Sequence, residues 1–334
     1  MSWTTHMAVF VMLHVAAFAG AGLAFMLLSW LNLFDHPNER SSHASPVPRG
    51  AGLVLTPVLA LAVGGIGLYA PNPPASAVVL AAIVGALGLV FWFDDRRGLP
   101  IWFRLAAQIA AIAAALYVMR DLGPFFGGML PVWLDRALAG FLWLWFTNLF
   151  NFMDGIDGIS GVETAVIGGG VGVVAALTGA AGGLSLIGVA LVAAATGFLW
   201  WNWHPAKIFL GDVGSVPLGF LLGWLLLLLA AHGQWAAALI LPLYYLADAT
   251  LTLMRRIVRR EKFWRAHRQH FYQRAARGGL GHAGVALAVG ACGGVLILAA
   301  AAAAKGWDIP ALVVAAIAVA ALLHRLSRNA PVGW

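Results

Sequence analysis

The stretch Phe141–Gly161 reads FLWLWFTNLFNFMDGIDGISG. Its apolar run closes on two carboxamides (Asn148 and Asn151), two carboxylates (Asp154 and Asp157) and Gly155, Gly158 and Gly161. Only 10% of the 334 residues are charged, so a pair of aspartates at the end of such a run stands out. Ionisable groups at a membrane boundary cost free energy, and this one is therefore read as a place for chemistry rather than a support for the fold.

The apolar character extends over the rest of the chain. Hydrophobic residues make up 62% of it and the mean hydropathy is +0.88, far above a soluble domain. Windows of about 20 apolar residues span a hydrocarbon core. Eleven recur, at roughly 8–31, 51–70, 75–93, 101–119, 131–150, 161–178, 184–203, 215–231, 234–252, 283–303 and 308–324. The expected fold is all-α, a polytopic integral membrane protein of about 11 transmembrane helices, forming one domain over 1–334. The first window lacks a strongly basic leader and a small-residue cleavage site, and is read as a retained helix. Cys292 is the single cysteine and lies in an apolar run, which excludes disulfides within the chain and cysteine metal sites.

Basic residues are retained on the cytoplasmic side of a membrane. With the N-terminus outside, the external loops hold only Arg120, Arg136 and Lys305 of the 20 Lys and Arg. The formal charge of +7 then meets lipid headgroups and a phosphorylated substrate rather than nucleic acid. The polar residues gather on that same face in five loops: FDHPNERSSHASPVPRGAG (34–52), FDDRRGLP (93–100), NLFNFMDGIDGISG (148–161), NWHPAKIFLGDVGS (202–215) and RRIVRREKFWRAHRQHFYQRAARGG (255–279). A carrier needs charged or broken helices near the midplane. Carboxylates at helix ends on one face suit an enzyme with a cytoplasmic site.

Each loop has a plain reading beside its chemical one. Asp94 and Asp95, followed by Arg96 and Arg97, could simply end a helix. Asn148, Asn151, Asp154 and Asp157 are spaced by three, so on a helix they form a slowly drifting row of oxygens; a glycine-rich helix end is the alternative. Asp212, between Gly211 and Gly214-Ser215, opens an apolar run, a place for a hard cation and phosphate oxygens or for an N-cap. Lys207 adds a positive charge nearby. The segment 255–277 holds nine Arg and Lys, Arg268 among them, with His267 and His270, as a lipid-bound basic stretch or as diphosphate contacts. Asp248 is either a buried ion-pair partner or part of the site. His6, His14, His232 and His324 are read as structural.

Taken in order, these loops resemble the polyprenyl-phosphate N-acetylhexosamine-1-phosphate transferases, the MraY- and WecA-like glycosyltransferase 4 family. The resemblance covers about residues 30–285. DHPNERSSHASPVPRGAG is similar to the family's first cytoplasmic segment, FDDRRGLP to its paired aspartates, NLFNFMDGIDG to NxxNxxDGxDG, PAKIFLGDVGS to PAxxFxGDxGS and HRQHFYQR to its histidine motif, with Tyr272 where a second histidine is usual. The family moves a sugar 1-phosphate from a UDP-sugar to undecaprenyl phosphate, releasing UMP, with Mg2+ (or Mn2+).

The resemblance implies Asp212 as the metal ligand and Asp94, Asp95, Asp157 and His270 as catalytic residues. Asn148, Asn151, Asp154, Lys207, Phe209, His267 and Arg268 would bind substrate, with Phe209 stacking on uracil. It also implies UDP-N-acetylhexosamine, undecaprenyl phosphate and membrane lipid as partners, no nucleic acid, compatibility with a homodimer, and a bacterial inner membrane location with the active site cytoplasmic. The expected role is to initiate O-antigen or other surface polysaccharide synthesis. The alternatives are a peptidoglycan-branch phospho-sugar-peptide transferase and a polyprenyl-lipid or ion transporter. DGIDG also resembles part of the CDP-alcohol phosphotransferase pattern, but the Ala-Arg of that pattern is missing.

Overall fold

A computed structural model describes residues 2–37, 45–74, 76–180, 182–261 and 267–330. Part of the first loop (38–44), and Lys262 and Arg265 of the basic stretch, lie outside the described residues. The helices are α1 (Trp3–Trp30), α2 (Gly52–Tyr69), α3 (Ala77–Arg97), α4 (Ile101–Val118), α5 (Val132–Phe152), α6 (Ile159–Thr178), α7 (Gly182–Asn202), α8 (Asp212–Ala231), α9 (Trp235–Ile240), α10 (Leu243–Val258), α11 (Phe271–Ala275), α12 (Gly281–Ala303) and α13 (Asp308–Arg328). The fold is an all-α polytopic membrane protein. Phe34–Asp35 and Val47–Pro48 pair as two short antiparallel strands, β1 and β2.

Among the described residues, nine helices are long and apolar enough to cross a membrane. The two remaining windows of the expected eleven fall on α5 and on α9 with α10. Helix α5 is 21 residues long but carries Asp135 and Arg136 in its first turns. The 234–252 window is broken, because Pro242 interrupts it and leaves α9 only six residues long. Large apolar side chains such as Leu61, Leu89, Phe141, Leu298 and Ile317 are exposed around the bundle, as a lipid-facing surface requires.

Helix α8 is the axis of the bundle. Val216, Phe220, Leu221, Leu222, Trp224 and Leu225 are fully buried, and α8 packs against α2, α3, α5, α6 and α9. A helix that is apolar all round belongs inside a core. Its buried neighbours satisfy their polar atoms: the Trp143 indole donates to the Phe220 carbonyl at 2.8 Å, and the Trp224 indole to Ser76 Oγ at 3.2 Å.

Small residues bring helices close where lipid supplies no hydrophobic drive. On the α6–α7 seam, a Cβ at Gly188 would lie 2.6 Å from the Gly168 carbonyl oxygen. Near the start of α8, Pro217 has no N–H for the Val213 carbonyl, which instead accepts the Thr56 hydroxyl of α2 at 2.8 Å. That bond anchors α2 to the first turn of α8, beside the polar loops.

Candidate functional site

The polar loops meet at one end of the bundle. The segment after β2 is zipped to the segment before α8. Phe209 N–H donates to the Pro48 carbonyl at 2.9 Å, the Phe209 carbonyl accepts Gly50 N–H and Ala51 N–H at 3.0 and 2.9 Å, and Gly52 N–H donates to the Leu210 carbonyl at 3.0 Å. This pairing sets Arg49 beside the helix start. Its Nη2 lies 2.6 Å from Asp212 Oδ1 and 3.1 Å from Asp95 Oδ1. Burial works against the guanidinium charge, but Asp212 and Asp95 outweigh it and raise the Arg49 pKa.

Asp95 also serves α8. Its Oδ1 accepts Asp212 N–H at 3.2 Å and its Oδ2 accepts Val213 N–H at 2.9 Å. These are two of the N–H groups that a helix leaves unpaired at its start. Gly211 precedes them with φ of 76°, and a Cβ there would sit 2.8 Å from Asp95 Oδ2. Glycine is needed at this position for both conformation and space.

The row from Asn148 to Asp157 is corrected by the structure. Helix α5 stops at Phe152, and Gly158, with φ of 78°, turns the chain into α6, so the four side chains do not share a helix face. Asn148 donates to Gln108 Oε1 at 2.6 Å and to the Leu144 carbonyl at 2.8 Å. Asn151 Oδ1 accepts the Ser215 hydroxyl at 2.6 Å, which ties α5 to α8. Asp154 Oδ1 accepts the Ser160 hydroxyl at 2.6 Å. Burial pushes the Asp154 carboxyl up to about 6; the Ser160 bond and Arg49 oppose this, and Asp212 adds to it.

Asp157 lies apart from the Arg49 cluster in its bonding. Its Oδ2 is 2.6 Å from His204 Nδ1 and accepts Ala206 N–H at 3.1 Å, while its Oδ1 is 3.1 Å from His282 Nδ1. Burial favours the neutral acid, but the bonds to His282 and His204 outweigh it and hold Asp157 below the usual carboxylate range.

The adjacent aspartates divide. Asp94 Oδ1 accepts Leu99 N–H at 2.7 Å, and its Oδ2 is 3.3 Å from Arg104 Nη1. Asp94 therefore holds the α3–α4 turn, whereas Asp95 faces Arg49 and α8. His270 Nδ1 is 3.2 Å from Asp248 Oδ1 in a buried pair. Asp248 also accepts Phe271 N–H at 3.0 Å, Tyr272 N–H at 3.1 Å and the Tyr244 hydroxyl at 3.2 Å. Asp248 is thus a buried hydrogen-bonding partner of the histidine segment, next to His270. Tyr272 OH donates to the Phe152 carbonyl at 3.0 Å, joining the histidine segment to the end of α5.

His267 stacks on His270 at 4.9 Å. Burial, with His270 and Arg256 nearby, pushes its pKa down to about 4. The Arg268 carbonyl accepts Arg277 Nη2 at 2.8 Å. Lys207 lies over the Trp201 ring at 5.3 Å, against an indole that packs on Phe18 and Phe25 of α1, rather than on the carboxylates. Phe209 is placed by its backbone pairing, half-buried beside Arg49. His6 and His14 make hydrogen bonds between α1 and α7, to Ser185 and Thr196, as structural histidines do.

Residues not singled out in the sequence complete the region: Arg49, Arg104, Gln108, His204, His282 and Glu163. Arg49 and His204 stand inside quoted motifs, so their type was a signal. His282 opens an apolar run, and only the packing of α12 brings it to Asp157. Glu163 is buried in α6, and its Oε1 has no hydrogen-bond partner among the described residues.

The profile of glycosyl transferase family 4 matches residues 74–230. Over that stretch, just under half of its length, the chain is similar to this family. It is 28% identical, over 74% of its length and 71% of the relative's, to a Bacillus subtilis protein provisionally named undecaprenyl-phosphate N-acetylglucosaminyl 1-phosphate transferase. It is 31% identical to the decaprenyl-phosphate N-acetylglucosaminephosphotransferase of Mycobacterium tuberculosis, over 62% of this chain and 56% of that one. It is 29% identical to the phospho-N-acetylmuramoyl-pentapeptide-transferase of Lacticaseibacillus paracasei, over 63% and 69%.

Proposed function

We propose that this protein transfers an N-acetylhexosamine 1-phosphate from a UDP-sugar to undecaprenyl phosphate, giving the undecaprenyl-diphosphate sugar and UMP. The observation that carries the reading is the convergence of Asp95, Asp212 and Arg49 from three separate parts of the chain at the start of a buried helix. Around them Asn151, Ser215 and Asp154 add oxygens from α5, α8 and the loop before α6.

These donors fit a hard divalent cation. Asp95 and Asp212 offer carboxylate oxygens, and one cationic group, Arg49, already lies within 3.1 Å of both. Asp212, with Asp95 beside it, would hold Mg2+ or Mn2+, which prefer oxygen ligands. Bound there, the ion would offset the charge of the diphosphate under attack. Arg49 would pair with a phosphate oxygen once the carboxylates turn to the metal.

The other roles follow from placement. Asn151 and Asp154 border the cluster and suit the nucleotide diphosphate. Phe209, on the strip beside Arg49, suits the uracil. Asp94, with both oxygens engaged by Leu99 and Arg104, suits orientation of the lipid phosphate better than nucleophilic attack, which favours direct transfer. His270 and His267 bring imidazoles and Arg268 a guanidinium from the basic segment, and Lys207 would act only after leaving the Trp201 ring. The protein would work in the bacterial inner membrane with this end in the cytoplasm, where UDP-sugars are made.

The acceptor is a membrane lipid. The sugar is read as N-acetylglucosamine or an N-acetylated deoxyhexosamine at the start of O-antigen or another surface polysaccharide. The Lacticaseibacillus relative's name supports a second reading, transfer of phospho-N-acetylmuramoyl-pentapeptide. Purified protein with Mg2+, undecaprenyl phosphate and a panel of UDP-sugars, including UDP-N-acetylmuramoyl-pentapeptide, separates them by UMP release. Absence of UMP release with every donor, together with transport into vesicles, overturns the enzyme reading.

A further inference from the structure

We propose that Asp157, His204 and His282 form a site for a divalent transition metal of the zinc class, separate from the Asp95 and Asp212 cluster. The three residues come from distant parts of the chain: the loop before α6, the segment after α7 and the first turn of α12. Their ligand atoms nevertheless lie within 4.8 Å of one another. One carboxylate and two imidazoles make a borderline donor set that suits zinc-type ions, whereas the oxygens around Asp212 suit magnesium.

The surroundings support a cation at this point. Asp157 N–H lies 3.3 Å from His282 Nδ1 in donor geometry. The same nitrogen is 3.1 Å from Asp157 Oδ1, so it can accept the backbone N–H or donate to the carboxylate but not both, and one of those two groups is left without it. A cation held by Nδ1 and Oδ1 makes both of them ligands and needs no proton between them. The other carboxylate oxygen is oriented by Ala206 N–H at 3.1 Å, as ligating carboxylates usually are by a hydrogen-bond donor. Asp157 and His282 are buried, whereas the His204 side chain is 46% exposed and leaves an approach from solvent and an open position on the ion. The ion would clamp the loops before α6 and before α8 to α12.

The test is binding of zinc and cobalt to the full chain in detergent, stripped with chelator and held in excess magnesium. No UDP-sugar or polyprenyl lipid is added, so the outcome does not depend on the transferase reading. The expected result is about one ion per chain, with the visible absorption of tetrahedral Co2+. His204→Asn and the double variant His204→Ala/His282→Ala should bind Co2+ at least about 100-fold more weakly. The exposed His204→Asn change leaves packing intact, and an unchanged elution profile verifies that. Binding in His204→Asn equal to the wild type, or displacement of Co2+ by magnesium alone, overturns the site.

Discussion

Asp95 caps the helix that Asp212 opens: its two oxygens accept the N–H groups of Asp212 and Val213 at 3.2 and 2.9 Å. A side chain from α3 thus does what the first residues of α8 would otherwise do for themselves, and its charge complements the positive end of the helix. The Asp212 carboxylate is left to face Arg49 at 2.6 Å. Division of labour between two neighbouring acids follows, and it separates their variants.

Asp212→Asn removes a carboxylate but no bond that caps α8, because the capping donor is its backbone. It should lower UMP release by at least about 100-fold, the scale of losing one group aimed at the developing charge. The thermal unfolding midpoint in detergent should stay near wild type. Asp95→Ala should fail on both counts, since it strands two part-buried N–H groups at a cost of up to about 1–3 kcal/mol each. A drop in midpoint for Asp212→Asn equal to that for Asp95→Ala would reject this division.

Arg49→Gln leaves Asp95 and Asp212 with no cation between them. Like charges held together destabilise one another, and binding of a divalent ion then relieves more repulsion than in the wild type. The variant should show turnover with a steeper dependence on magnesium concentration and a midpoint that rises more on adding magnesium than that of the wild type. A magnesium response identical to wild type would show that the ion does not bind next to Arg49.

Much of this arrangement was legible in the sequence because motifs record which residues are needed. The five polar loops were readable from the apolar windows and the basic bias, and Asp212 at a helix start followed from Gly211 and Gly214. What the spacing misled on was Asn148 to Asp157, where a period of three suggested one helix face. Helix α5 ends at Phe152 and Gly158 turns the chain with a positive φ, and each side chain finds a partner on a different element: Gln108, Ser215, Ser160 and the His204/His282 pair. The partition of Asp94 from Asp95 was equally hidden. It depends on Leu99 and Arg104 on one side and on the approach of α8 on the other, a tertiary contact that no local pattern encodes.

His267 gives a pH prediction. Its pKa falls from about 6.5 in an unfolded chain to about 4 in the fold. The unfolded state therefore binds the proton first as pH falls, and stability is lost between about 6.5 and 4. Below that window the contribution levels off. His267→Gln should flatten the decline of the unfolding midpoint between pH 7 and 5, with little effect above pH 7. A decline as steep in the variant as in the wild type would place the acid sensitivity elsewhere.

Asp248 ties His270 to the bundle by a chain of bonds that the basic segment cannot supply. Phe271 N–H, Tyr272 N–H, the Tyr244 hydroxyl and His270 Nδ1 all meet its two oxygens, and the residue is fully buried. If His270 acts on substrate from this position, Asp248 acts through it, as a positioning residue. Two residues acting as one unit give non-additive losses. Asp248→Asn keeps one acceptor oxygen and the side-chain volume, so the chain should still fold, while His270→Ala removes the imidazole itself. Each should reduce kcat, and the double variant should fall no further than His270→Ala alone. Losses that multiply in the double variant would show that Asp248 and His270 serve the reaction independently, and that their pairing at 3.2 Å belongs to the fold.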